Sequence, residues 1–128
     1  MQGRALHDSS ENREEVLLIS QTTPDIDIDT LARSAEEGAT VIDVREPGEY
    51  VAGHVPGATP MPMGQLASRL GELDRGRRVY VLCASGNRSA AMTDVLVANG
   101  FEAYSVAGGT RAWARSGRPV ENGAPGRA

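Results

Sequence analysis

Two short runs constrain this chain most. Thr40 to Val44 (TVIDV) and Val79 to Leu82 (VYVL) are β-branched or apolar at almost every position. A strand with one wet face would alternate apolar and polar residues, so runs without alternation belong to strands covered on both sides. Between and around them lie segments with helical spacing of apolar residues, joined by short Gly- and Pro-marked turns. Alternating helices and doubly buried strands predict an α/β fold in three layers, a central and mostly parallel sheet with helices on both faces. In such sheets ligands bind at the carboxyl ends of the strands. The segment straight after Leu82 is therefore where chemistry is expected, and it opens with Cys83, the only cysteine.

The elements follow from local signals. Asp29 is placed to cap a helix carrying Leu31, Ala32 and Ala35 that stops near Gly38, ahead of the first buried run. Pro47 suits the first turn of a short helix through Tyr50 and Val51, ended by Gly53. His54 to Gly57 read as a brief extended piece and turn, and Leu66, Leu70 and Leu73 fall at helical spacing before Asp74, Arg75 and Gly76. Met92, Val95 and Leu96 mark the face of a further helix ending at Asn99 and Gly100. Phe101 to Val106 is a strand, Gly108 and Gly109 a turn, and Thr110 to Ser116 a last helix. Residues 25–120 form the expected domain, after a flexible leader at 1–24 and before a loose tail at 121–128. Within the leader, Val16 to Ile19 suits either flexible chain or an added edge strand.

Composition narrows the function classes. The 128 residues suffice for one core. The net charge of −4 and the scattered arginines give no footprint for nucleic acid or anionic lipid. A mean hydropathy of −0.32 without a long apolar run argues against a membrane span. One cysteine cannot form an internal disulfide and, with two histidines, leaves no zinc-site spacing, so no metal is expected. No secretory signal pattern opens the sequence, and a reducing cytoplasm is the expected location.

The loop Cys83, Ala84, Ser85, Gly86, Asn87, Arg88, Ser89 joins a buried strand to a helix with one small or flexible residue after another. Gly86 takes positive φ freely and Asn87 tolerates it, so successive amides can turn toward one point and form an anion-binding nest at the positive end of the helix. A thiol there, beside an arginine, falls below its usual pKa of about 8.5 and becomes a nucleophile without a histidine partner. A Cys–His mechanism has little support, since His7 lies in the leader and His54 at a turn. A lone cysteine is more often a small buried hydrophobe. The strand end, the Gly-containing loop, Arg88 and the helix start together reverse that expectation for Cys83.

These residues bring the chain close to a known family. With VIDVREPGEYVAGHVPGA at 41–58, VLCASGNRSAAM at 81–92 and AGGTRAWARSGRPV at 107–120, it resembles the single-domain rhodaneses, a family of sulfurtransferases, from about Ile26 to Val120. The resemblance implies that Cys83 attacks a sulfane sulfur donor, typically thiosulfate, and carries the sulfur as a persulfide to cyanide or a thiol acceptor, without a cofactor. It implies donor binding by the amides of Ala84, Ser85, Gly86 and Asn87 and by Arg88, whose fork suits oxyanions. The related phosphatases and arsenate reductases have five residues between cysteine and arginine; here there are four, which favours sulfur as the attacked atom. A sulfur relay between protein partners is the alternative, and a phosphatase or arsenate reductase a weaker one.

Asp43 and Arg45 match the family's IDVRE stretch: Asp43 is expected as structural support, Arg45 at the entrance. Glu49 reads as a surface or loop-anchoring residue, His54 as a turn residue held by its backbone, and Trp113 as core. One departure is Pro60, where the family often has Asn; it removes an amide donor where a loop meets the sheet.

Overall fold

The computed structural model describes residues 23–124. Its centre is a five-stranded sheet, all parallel, built from β1 (Asp25–Ile26), β2 (Thr40–Asp43), β3 (Thr59–Pro60), β4 (Val79–Leu82) and β5 (Ala103–Val106) in the order β1-β5-β4-β2-β3. The helices are α1 (Ile28–Glu36), α2 (Pro47–Ala52), α3 (Asn87–Ala98) and α4 (Gly109–Arg115), with a 3-10 helix at Leu66–Glu72.

The unbroken apolar runs are the two strands at the middle of the sheet. In register, Val41 pairs with Tyr80, Ile42 with Val81 and Asp43 with Leu82. Successive side chains then point to opposite faces. Ile42, Val44, Val79, Val81 and Cys83 pack with Leu66, Leu96 and Phe101 under α3 and the 3-10 helix, while Val41, Tyr80 and Leu82 pack with Leu31, Tyr50, Val106 and Trp113 under α1, α2 and α4. Two cores on one sheet account for a strand that can spare no polar position.

Several boundaries differ from those the sequence suggests. The cap of α1 is Asp27, whose carboxylate accepts from Thr30 N at 2.8 Å; Asp29 lies in the first turn, where its charge meets the helix dipole. The leucines at 66 and 70 lie in a 3-10 helix rather than an α-helix, with Leu73 as its cap. The last strand starts at Ala103, because Gly100 takes φ 90° and Phe101 N returns to Leu96 O, closing α3 before the chain extends. Two edge strands, β1 and β3, are only two residues long and carry no legible pattern. Pro60 sits in β3, at the sheet edge, where a missing N–H is tolerated, and Met61 N supplies the bond to Asp43 O at 2.8 Å.

The run Val16 to Ile19 lies outside the described residues. At the other end, the chain past Val120 is held further than a loose tail from 121 would be. Glu121 forms an antiparallel bridge with His54, and Gly123 N donates to Val51 O at 2.9 Å. Among the described residues, no helix is long and apolar enough to cross a membrane, and no group of three or more His, Cys, Asp or Glu is placed to hold a metal ion.

Candidate active site

Three strand ends meet at one place. β2 ends in Asp43 and leads to Arg45, β4 leads into Cys83, and β5 leads through Ala107 to Gly108 and Gly109. Cys83 is buried, its side chain on the α3 face of the sheet. Gly86, with φ 118°, turns the chain into α3 and aims its N–H at the Cys83 sulfur, 3.0 Å away. Only glycine adopts that backbone readily.

The loop is shaped from outside by the turn after β5. Thr110 N donates to Cys83 O at 2.9 Å, and Arg111 N to Ala84 O at 3.1 Å. In a planar trans peptide the N–H points opposite to the carbonyl before it. With the carbonyls of Cys83 and Ala84 drawn toward α4, the amides of Ala84 and Ser85 face the other way, into the loop. This requires a very close approach: a Cβ on Gly109 would lie 2.4 Å from Cys83 O and 2.8 Å from Ala84 O.

Burial pushes the Cys83 thiol up. The Ser89 hydroxyl and the amides of Ser89, Gly86 and Ser85 pull it down further, so that it rests below the ordinary thiol range. Ser89 Oγ lies 3.4 Å from the sulfur, 3.1 Å from Gly86 O, to which it donates, and 2.8 Å from Ser105 Oγ. Both serines are buried. Neither was singled out from the sequence; the available signal was a polar residue inside the apolar strand AYSV and another on the first turn of α3.

The two arginines are each held by a carboxylate. Arg45 is buried, its Nε and Nη2 on Asp43 at 2.9 and 2.7 Å and Nη2 also on Gly53 O at 2.8 Å. Asp43 thus fixes the Arg45 guanidinium, which takes its second partner from the turn after α2. Arg88, at the start of α3, grips Glu49 of α2 through two bonds of 2.8 and 3.0 Å. Hydrogen bonding from Arg88 depresses the Glu49 carboxyl to about 2, against the smaller opposing effect of burial. Glu49 is thus the loop anchor, and Arg88 reaches the site as half of an ion pair. Beside the loop, a cleft of about 410 Å³ is lined by Arg45, Glu49, Ala84 and Arg111 with an apolar side of Ala52 and Val120. His54 is occupied elsewhere, stacked on Tyr50 at 3.7 Å with Nδ1 on Tyr50 O, and its backbone is held by Glu121 as expected of a turn residue. Trp113 is buried in the core.

Comparison with known proteins identifies the fold. The rhodanese-like domain model matches residues 27–116, from the cap of α1 to the end of α4. The chain belongs to the rhodanese-like domain family. A rhodanese-related protein of Thermoplasma volcanium superposes with a TM-score of 0.72 at 34% identity, covering 77% of this chain and 97% of that one. A thiosulfate sulfurtransferase of Pseudomonas aeruginosa superposes at 0.76 and 28% identity over 86% of this chain and 22% of its own. Among curated relatives, "Putative sulfur carrier protein YrkF" of Bacillus subtilis is 31% identical over 108 residues, 82% of this chain and 55% of that protein. The curated relatives are longer: this chain spans roughly half to two thirds of their length. Within the rhodanese-like domain, Cys83 stands at the carboxyl end of the central strand, where an α/β sheet presents its ligand site.

Proposed function

We propose that this protein is a sulfurtransferase working through a persulfide on Cys83, with thiosulfate as donor and cyanide or a thiol as acceptor. The observation that carries this reading is the Cys83 sulfur just ahead of α3, 3.0 Å from the Gly86 amide, in a loop with four residues between Cys83 and Arg88. The thiolate attacks the outer sulfur of thiosulfate. As the new S–S bond forms, the old one breaks, and sulfite leaves with its electron pair. The acceptor then attacks the outer sulfur of the persulfide, and the Cys83 thiolate is released. Amides aimed into the loop stabilise the anions on both sides of this exchange. In this reading Ala84, Ser85, Gly86 and Asn87 supply the donor cradle, Arg88 and Arg45 its cationic rim, and Asp43 holds Arg45. No cofactor takes part, and a cysteine that must stay a free thiol suits the reducing cytoplasm.

The four residues between Cys83 and Arg88 support sulfur over phosphate or arsenate as the attacked centre. The test is thiocyanate formation from thiosulfate and cyanide. The wild type is expected to turn over, and Cys83→Ser to lose turnover while melting at the same temperature. Equal rates in the two proteins would refute the assignment.

A second reading is a relay in which sulfur arrives on one protein and leaves on another. It is favoured by the likeness to a protein named as a sulfur carrier and by the greater length of the curated relatives. Slow turnover of thiosulfate together with fast persulfide exchange with a protein donor would select it.

A further inference from the structure

Beneath the loop lies a buried pair of hydroxyls, of which Ser89 touches the sulfur and Ser105 has no part in the chemistry above. Ser105 faces the α3 side of β5 and is 3% exposed; its hydroxyl has one hydrogen-bond partner among the described residues, Ser89 Oγ at 2.8 Å. A buried hydroxyl is retained at a cost unless it is bonded, so a serine in a core strand calls for an explanation. Ser89 Oγ in turn touches three atoms, Ser105 Oγ, Gly86 O and the Cys83 sulfur.

Counting protons decides how these contacts operate. Ser89 has one proton to give. With Cys83 as a thiol, S–H donates to Ser89 Oγ and Ser89 donates to Gly86 O. Because Ser89 has spent its proton there, the contact with Ser105 must run from Ser105 into Ser89, filling the second lone pair of Ser89. Loss of the thiol proton leaves Ser89 free to turn its own proton onto the sulfur. Gly86 O is not orphaned by that turn, since Ala90 N also donates to it at 3.2 Å. Ser105 stays a donor in both states and polarises the Ser89 O–H toward the charge.

We propose that Ser105 is a positioning residue for Cys83: by donating to Ser89, it commits the single Ser89 proton to the sulfur whenever the sulfur carries negative charge. Resting on the persulfide reading, this serves both half-reactions, because Cys83 is the attacking thiolate in the first and the leaving thiolate in the second. Of the charged groups around the loop, Arg88 on α3 feels the Cys83 charge and is itself paired with Glu49 of α2, and Arg111 of α4 lines the cleft beside Ala84. From β2 the nearest charges are the mutually paired Asp43 and Arg45, and β5 supplies only the Ser105 hydroxyl.

The experiment is a double-mutant cycle read as the titration midpoint of the only thiol, from its far-ultraviolet thiolate absorbance with Cys83→Ser as the blank. Ser89→Ala is expected to raise the midpoint by about one unit, and Ser105→Ala by roughly half a unit. Ser105→Ala added to Ser89→Ala should then change nothing further, since Ser105 acts through Ser89. Ser105→Thr, which keeps the hydroxyl, should restore the wild-type midpoint. If Ser105 merely glues β5 to α3, Ser105→Ala lowers the melting temperature and leaves the midpoint in place, which overturns the proposal. So do equal shifts with and without Ser89. This titration involves no sulfur donor, so failure of the persulfide reading would leave its outcome unaffected and would show instead as absent thiocyanate formation.

Discussion

At the scale of single residues, the charged side chains around the loop act in pairs. The sequence points to Arg88 as a donor-binding cation; in the structure it is the partner of Glu49, which fixes where its fork sits. A guanidinium with five donors can hold a carboxylate and still present N–H groups to an anion. Arg88→Ala is therefore expected to raise the KM for thiosulfate about ten-fold while slowing reaction with a neutral persulfide donor much less. Steady-state kinetics with the two donors checks this, and equal effects would count against the role. The Glu49 carboxyl gives a separate test on pH. Its folded value of about 2 lies below the ordinary 4.5, so its stabilisation is fully present above about 4.5 and drains away as pH falls toward 2. Melting curves should show Glu49→Gln below the wild type at neutral pH, with the gap closing across that acid window. A gap constant with pH would mean that the ion pair contributes nothing. The pairing of Glu49 with Arg88 was not legible in the sequence, because the two lie 39 positions apart and meet only through the packing of α2 beside the loop.

At the scale of elements, the loop owes its shape to its neighbour. α4 and the Gly108–Gly109 turn draw two carbonyls outward and so turn amides inward, which makes Gly109 a site residue without any side chain. Gly109→Ala should cost roughly 1–3 kcal/mol by overpacking and cut turnover more than that loss explains, because the clash falls on the carbonyls of Cys83 and Ala84. Gly48→Ala in α2 meets nothing within 4 Å and is the control, neutral or slightly stabilising in a denaturant melt. If the two variants behaved alike, the clamp would have no special part. The same contrast marks what the sequence discloses about elements. The doubly buried strands and the glycine-marked loop are visible because burial and positive φ each demand particular residue types. The short edge strands at Asp25–Ile26 and Thr59–Pro60 are held by backbone bonds to a neighbour, a requirement that nearly any residue meets. The 3-10 winding at Leu66–Glu72 is hidden for a related reason: leucines at 66, 70 and 73 satisfy either helix.

At the scale of the whole molecule, a parallel sheet with a separate core on each face places the ends of β2, β4 and β5 together, and with them Asp43, Cys83 and the glycine turn. The chain then closes on itself near the site. Trp113 Nε1 donates to Pro119 O at 2.7 Å, Glu121 bridges to His54, and the Gly53 turn between them carries the carbonyl that holds Arg45. That architecture was readable from the alternation of patterns, and the cysteine's place in it from its position after the central strand. The hydroxyl pair under the loop was not, since Ser89 and Ser105 become neighbours only when α3 lies across β5. Whether this assembly lets Cys83 carry sulfur is read from intact mass. Incubation with thiosulfate should add the mass of one sulfur atom to the wild type, cyanide should remove it, and Cys83→Ser should gain nothing. A wild type that gains no mass while its thiol remains open to alkylation would mean that Cys83 does not take sulfur from thiosulfate.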